Sequence, residues 1–240
     1  VNDAIVWHDV ENGGYHADLE LWHELAQQAN GPVLDLGAGT GRVALDLAEA
    51  GHEVTALDAD PAVLAELARR ARELGLEVEC VNADARNLGP IGRFALIIAP
   101  MQFVQILGGA SARAELLSGV VACLSPGGTF AAAIADLDEA VAAEDAAPPL
   151  PDVRERGKWI YSSLPLDVRP EPGGVAVEWL RQKVSPAGKL TEERHTQMLD
   201  SVEPDDFERE AAAQGLRAER RRVVSQTRAY IGSTVIVCRR

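Results

Sequence analysis

Apolar positions along the chain follow two alternating rhythms. Short apolar runs, as expected of buried strands, are separated by stretches whose apolar residues recur every three or four positions, as on amphipathic helices. Asp18–Ala29 predicts a helix with Leu21, Leu25 and Ala29 on one face and Trp22 beside them, ended by Gly31-Pro32. Val33–Leu36 predicts a strand, GAGTG at 37–41 a tight turn, Arg42–Ala50 a helix closed by Gly51, and Glu53–Leu57 a strand ending at Asp58. Pro61–Leu74 predicts the next helix, with proline at the first position where its missing donor costs nothing. Glu77–Val81 and Phe94–Ala99 predict strands; the second is apolar on both faces and hence central. Ser111–Cys123 predicts a helix, and a Ser-Pro-Gly-Gly turn leads into the strand Thr129–Ile134. This alternation calls for a mostly parallel sheet covered by helices on both faces.

The rhythm then changes. Asp136–Asp152 is rich in Ala, Pro and acids and predicts a short helix plus a loop. Lys158–Ser163, Val175–Val184 and Leu190–Leu199 read as strands parted by Pro/Gly turns, an antiparallel ribbon or extra sheet at one end of the domain. Glu203–Gln214 predicts a helix, and Leu216–Val224 with Ala229–Val237 a final antiparallel pair. No repeat and no long linker divides the chain, so residues 1–240 are expected to form one domain.

Composition narrows the function. An apolar fraction of 47% excludes a disordered chain. There are 23 Lys and Arg against 37 Asp and Glu, a net charge of -14, which disfavours nucleic acid and anionic membrane as partners. Acidity is concentrated early: residues 1–60 hold twelve acids and one base, Arg42. The late basic run of Arg217, Arg220, Arg221 and Arg222 reads as a solvated face balancing acidic neighbours. Cys80, Cys123 and Cys238 are scattered, which argues against a disulfide scaffold or a zinc site. No apolar run reaches the ~18 residues of a membrane span, and no basic leader opens the sequence. The expectation is a cytoplasmic protein with no metal.

In an open α/β sheet, ligands collect beyond the carboxyl ends of the strands. The glycine loop after Val33–Leu36 lies there, and the following helix points its amides at the same place. Asp58, ending the second strand, is placed to accept hydrogen bonds from both hydroxyls of a ribose. Asp84, in the loop after the third strand, either binds the amino edge of an adenine or caps its own turn. Asp35, just before the glycines, is placed to organise the loop near an ammonium group. The loop is shorter than the dinucleotide fingerprint, and three acids suit an anionic pyrophosphate poorly. A nicotinamide oxidoreductase is therefore a weak reading.

These residues, the strand ending Ala99-Pro100 and the LSPGGTF turn resemble the class I S-adenosylmethionine-dependent methyltransferases over roughly residues 17–135. The resemblance implies a Rossmann-like α/β fold, a seven-stranded sheet of order 3-2-1-4-5-7-6 with strand 7 antiparallel, and an antiparallel insert between strands 5 and 6. It implies S-adenosyl-L-methionine as cofactor, with Gly37, Ala38, Gly39 and Gly41 around the methionyl part. It further implies Asp58 and Ala59 at the ribose, Asp84, Ala85 and Arg86 at the adenine, and Pro100, Met101 and Gln102 facing the methyl group. Residues 1–30 look like a lid and its helix, and residues 137–200 like an insert contributing to the acceptor pocket. Tyr15 and Trp22 are candidates to close over the sulfonium; Trp22 reads equally as an anchor of its helix.

Acceptor and base stay open at this point. Ala95 stands where many relatives carry an acid, and APMQF lacks the tetrad of adenine or glutamine methyltransferases. Candidate bases are His16, His195 and His23, with Asp9 and Glu178 behind them, and Tyr15 is a candidate at the reacting centre. Trp159, Tyr161 and Trp179 either wall an acceptor cavity or pack the insert. The expected activity is methyl transfer to a nitrogen or oxygen of a small molecule by a monomer or homodimer. The alternatives are a non-catalytic cofactor-binding regulator and an RNA or protein methyltransferase.

Overall fold

The strands of the central sheet lie in the order β3–β2–β1–β4–β5–β12–β10 in a computed structural model that describes residues 2–137, 150–227 and 230–240. β1 (Val33–Leu36), β2 (Val54–Asp58), β3 (Val78–Asn82), β4 (Phe94–Ala99) and β5 (Leu124–Ala135) run parallel. β12 (Ser233–Arg239) pairs antiparallel with β5, Thr234 opposite Ile134 and Val237 opposite Ala131. The expected sixth strand arrives as two pieces, β10 (Arg217–Ala218) and β11 (Arg222–Val224), both on β12. Between them Arg221 turns away to Glu208, which accepts its Nε at 2.6 Å and Nη2 at 2.9 Å.

Strand alternation builds two cores. Leu34, Leu36, Ile97, Phe130 and Ala132 face α5 (Ala110–Cys123) and α6 (Pro204–Ala213), with Phe207 fully buried among them. Val33, Leu96, Ile98, Ala131 and Ala133 face the other side, with α2 (Leu19–Ala29), α3 (Arg42–Glu49) and α4 (Pro61–Leu74). Asp35 points to this second side, at the carboxyl end of β1, where the apolar layer gives way to a cavity.

The insert is a separate antiparallel sheet of four strands in the order β6–β7–β8–β9: Asp152–Arg156, Trp159–Glu171, Gly174–Val184 and Leu190–Asp200. Most of the expected helix and loop of Asp136–Asp152 lies outside the described residues.

A further helix, α1 (Asp3–Asn12), precedes everything the periodicity predicts. Asn2 caps it, its side-chain oxygen accepting the Ala4 amide at 3.1 Å. α1 packs between the insert and α4 (Pro61–Leu74): Trp7 meets Tyr161 edge to face, ring centroids 5.2 Å apart.

Candidate active site

A cavity of about 470 Å³ opens at the carboxyl ends of β1, β2 and β4. Gly37, Gly39 and Gly41 all have positive φ, which lets the chain reverse from β1 into α3 within five residues. Asp58 supports this turn: its Oδ2 accepts the Gly39 amide and its Oδ1 the Asp60 amide, both at 2.9 Å. Asp35 is 1% exposed, and its Oδ1 is buried without a hydrogen-bond partner. Burial raises its pKa to about 7, with Arg42 nearby opposing the shift.

Arg42, the first residue of α3, is held by Asp18 in a bidentate pair of 2.6 and 2.8 Å. The same Asp18 accepts the Trp22 indole N–H at 2.8 Å. Trp22 is fully buried, so it anchors the acid that positions Arg42 and does not itself wall the cavity.

α1 forms the roof, contributing Ala4, Trp7, His8, Glu11 and Asn12. Asp9 fastens it to the glycine loop and to α4. It accepts the Thr40 hydroxyl at 2.7 Å and is paired with Arg70, one contact at 3.0 Å. Burial alone would raise the Asp9 pKa, yet the Arg70 and Thr40 hydrogen bonds bring it below the usual carboxylate value. On the other side, Glu11 pairs with Arg181 and accepts the Ser163 hydroxyl, while Asp3 takes Lys183 at 2.6 Å. The roof is therefore tied to the core and to the insert at once.

A second cavity of about 260 Å³ adjoins the first, sharing Glu11, Asn12, Met101, Gln102 and Gln197. Its wall is mostly apolar, from Leu137, Val168, Val177, Trp179 and Leu199, with Tyr15, Asp152 and Tyr230 as polar members. Met101, at φ 55°, turns the chain after β4 at the junction. Gln105 fixes that loop by exchanging two hydrogen bonds with Ala135, at 2.8 and 3.2 Å.

The structure brings Asp35, Gly37, Ala38, Asp58, Pro100, Gln102 and His195 to the first cavity, with Gly39 and Gly41 in the loop that shapes it. Tyr15 walls the second cavity instead, its ring under the Arg42 guanidinium at 5.1 Å and beside Tyr230 at 4.9 Å. His16 is exposed and lines neither cavity. His23 pairs with Asp46 at 2.6 Å, away from both, and Glu178 is paired with Arg194 and Arg169.

Asp84 caps its own turn. It accepts the Arg86 amide at 2.9 Å and pairs with the Arg86 side chain, while Ala85 is buried. Ala59 offers its carbonyl to Asn82 at 3.0 Å. Of the insert aromatics, Trp179 lines the second cavity, Tyr161 packs on Trp7, and Trp159 lies under Lys183. Among the described residues no cluster of His, Cys, Asp or Glu is arranged to hold a metal.

His8, Phe103 on the cavity wall and the helical form of α1 escape the sequence reading, which places residues 1–30 in a lid without predicting a helix over Asp3–Asn12. The signal was present as Ala4, Trp7, His8 and Glu11, spaced for one helix face behind an Asn-Asp start. Because that face meets a cavity and a polar sheet, it lacks the apolar stripe that marks α2.

An acceptor-rich cavity with a buried carboxyl whose Oδ1 has no partner fits a ligand bearing a cation and several hydroxyls. Comparison with known proteins agrees. Residues 33–128 match the family described as a methyltransferase domain. A cypemycin N-terminal methyltransferase from a Streptomyces species is 34% identical over 113 residues. That match spans 47% of this chain and 45% of the relative, so the chain covers about half the relative's length. The sugar N-methyltransferase KedS8 from a Streptoalloteichus species superposes with a TM-score of 0.77 at 16% identity, covering 100% of this chain and 92% of that one. The amino pentose methyltransferase CalS10 of Micromonospora echinaspora, solved with S-adenosylmethionine bound, superposes with a TM-score of 0.73 at 17% identity, covering 100% and 97%. The chain as a whole thus has the fold of the class I S-adenosylmethionine-dependent methyltransferases, with the family match falling on residues 33–128.

Proposed function

We propose that this protein transfers a methyl group from S-adenosylmethionine to a nitrogen of a small-molecule amine. The observation that carries the reading is Asp35. A buried carboxyl whose Oδ1 has no partner, beside Asp58 and a glycine loop, needs a cation to complete it. The methionyl ammonium is that cation, and the ribose hydroxyls fall to Asp58.

Bound S-adenosylmethionine supplies an electrophilic methyl whose departure from sulfur leaves a neutral thioether, so no general acid is required. The protein's tasks are alignment, exclusion of water and removal of one proton. Met101 and Gln102, common to both cavities, form the boundary across which donor and acceptor meet. α1 and the insert roof that boundary. His195 lines the first cavity on the β9 stretch that also presents Gln197 at the boundary, and we assign it as the group that takes the acceptor's proton. Burial, reinforced by Arg181, holds its pKa below the usual imidazole value and keeps it neutral and receptive.

The relatives support nitrogen over oxygen: one is an N-terminal methyltransferase and one a sugar N-methyltransferase. The largely apolar second cavity, about 260 Å³, favours a compact amine. The 34% identical relative makes a peptide amino terminus the rival acceptor.

Calorimetric titration with S-adenosylmethionine tests the first half of the proposal; absence of binding by folded protein sinks it. A labelled-methyl assay on extract separated into small-molecule, peptide and RNA fractions tests the second half. Label is expected in small-molecule amines, and label confined to peptide or RNA would replace that reading.

A further inference from the structure

We propose that His8, carried by the roof helix α1, is a cofactor-binding residue whose Nε2 accepts a hydrogen bond from a ribose hydroxyl of the bound nucleoside. The inference rests on the reading of the first cavity as the S-adenosylmethionine site.

The argument begins one residue away. Asp9 is ionised and can only accept hydrogen bonds, and Arg70 pins it. Thr40 has one hydroxyl proton, and it goes to Asp9 Oδ1 at 2.7 Å. The Thr40 oxygen therefore meets His8 Nδ1, 3.3 Å away, as an acceptor. That places the imidazole proton on Nδ1 and leaves Nε2 with its lone pair. Among the described residues nothing donates to Nε2. Asp9, Thr40 and His8 are thus a chain that fixes a tautomer, with Nε2 as its remaining acceptor on a residue that lines the cavity.

The position of that end follows from Gly39. A Cβ built there would overlap His8 Nε2 and Cε1, so the imidazole lies directly on the glycine loop. The Gly39 amide is the one that Asp58 accepts. His8 therefore stands beside Asp58, at the ribose end of the cavity. A ribose brings two neighbouring hydroxyl donors, and Asp58 and His8 supply two neighbouring acceptors. Burial favours the neutral imidazole that this role needs. The sequence reading assigns a glycine here to the methionyl group; in the structure the space left by the missing side chain belongs to His8.

The roof thereby reads the nucleoside directly, so bound ligand adds a contact that holds α1 in its docked position.

The test is calorimetric titration with S-adenosylhomocysteine, which needs no turnover. His8→Phe keeps the ring's bulk and loses both nitrogens. His8→Asn keeps a donor near the Nδ1 position only. His8→Gln keeps an amide oxygen within reach of the Nε2 position. Phe and Asn are expected to weaken binding by about tenfold, and Gln by less than about threefold. The 2′-deoxy and 3′-deoxy analogues of the ligand identify the hydroxyl: one of them should bind wild type and His8→Phe equally.

Binding of S-adenosylhomocysteine to both His8→Phe and His8→Asn within about twofold of wild type overturns the inference and leaves the cofactor reading standing. So does an unchanged His8→Phe penalty with both deoxy analogues. Failure of wild type to bind the ligand overturns both. Melting temperatures establish that each variant is folded, and a His8→Phe protein that fails to fold leaves the comparison of Asn with Gln to decide.

Discussion

Glu11 on α1 and Arg181 on β8 are joined by two parallel hydrogen bonds, Nε to Oε1 and Nη2 to Oε2, each 2.7 Å. Both side chains are about 15% exposed, at 16% and 14%. Such a bidentate pair is among the stronger side-chain contacts, and losing one partner strands a partly desolvated charge. Glu11→Gln is expected to cost about 1–3 kcal/mol of stability and to speed amide exchange across Asp3–Asn12. Denaturant unfolding and hydrogen-exchange mass spectrometry check this; unaltered exchange would show that Asp3 and Asp9 suffice to hold the roof.

Asp35 is expected to make cofactor binding proton-linked. Its folded pKa of about 7 lies above the ordinary value of 3.8. Between those values the folded state holds the proton more tightly than the unfolded chain does. This group therefore adds stability to the unliganded protein as pH falls from about 7 toward 4, and withdraws it as pH rises. A ligand cation reverses the preference and expels the proton. Titrations near pH 6 in buffers of different ionisation enthalpy should show release of up to one proton. Asp35→Asn should abolish the release and weaken binding by about tenfold or more.

Gly39→Ala should fail for two separable reasons. At φ 55° a side chain is strained by about 1–2 kcal/mol, and its Cβ overlaps His8. Combining it with His8→Ala should restore part of the lost melting temperature, because the overlap goes and the strain stays. Full recovery would locate the whole cost in the overlap.

Trp179 separates the two cavities experimentally, since it lines only the second. Trp179→Ala should raise KM for the acceptor found in the labelled-methyl assay by about tenfold or more, with the dissociation constant of S-adenosylmethionine unchanged. A weakened cofactor and an unaltered acceptor KM would exchange the assignments of the two cavities.

The sheet was legible in the sequence because each of its strands and helices carries its own period and punctuation. Val33–Leu36, Pro61–Leu74 and Phe94–Ala99 appear with the predicted bounds. Asp35 and Asp58 were legible for the same reason, standing at strand ends that the pattern locates. α1 was not, because its stability is tertiary: Asp9 is buried by Thr40 and Arg70, partners 31 and 61 residues away. A buried acid reads in sequence as a surface acid. Trp22 and Tyr15 show the converse, two aromatics whose type suggested a lid. A hydrogen bond to Asp18 takes one into the core, and packing on Arg42 and Tyr230 gives the other to the second cavity. Tyr230 lies 215 positions from Tyr15, beyond the reach of any local pattern.

α1 contributes Glu11 and Asn12 to both cavities, so a single helix stands across two entrances. On the proposed function one helix therefore covers both donor and acceptor, and the charge pairs of Asp3, Asp9 and Glu11 that hold it govern access to the two sites together.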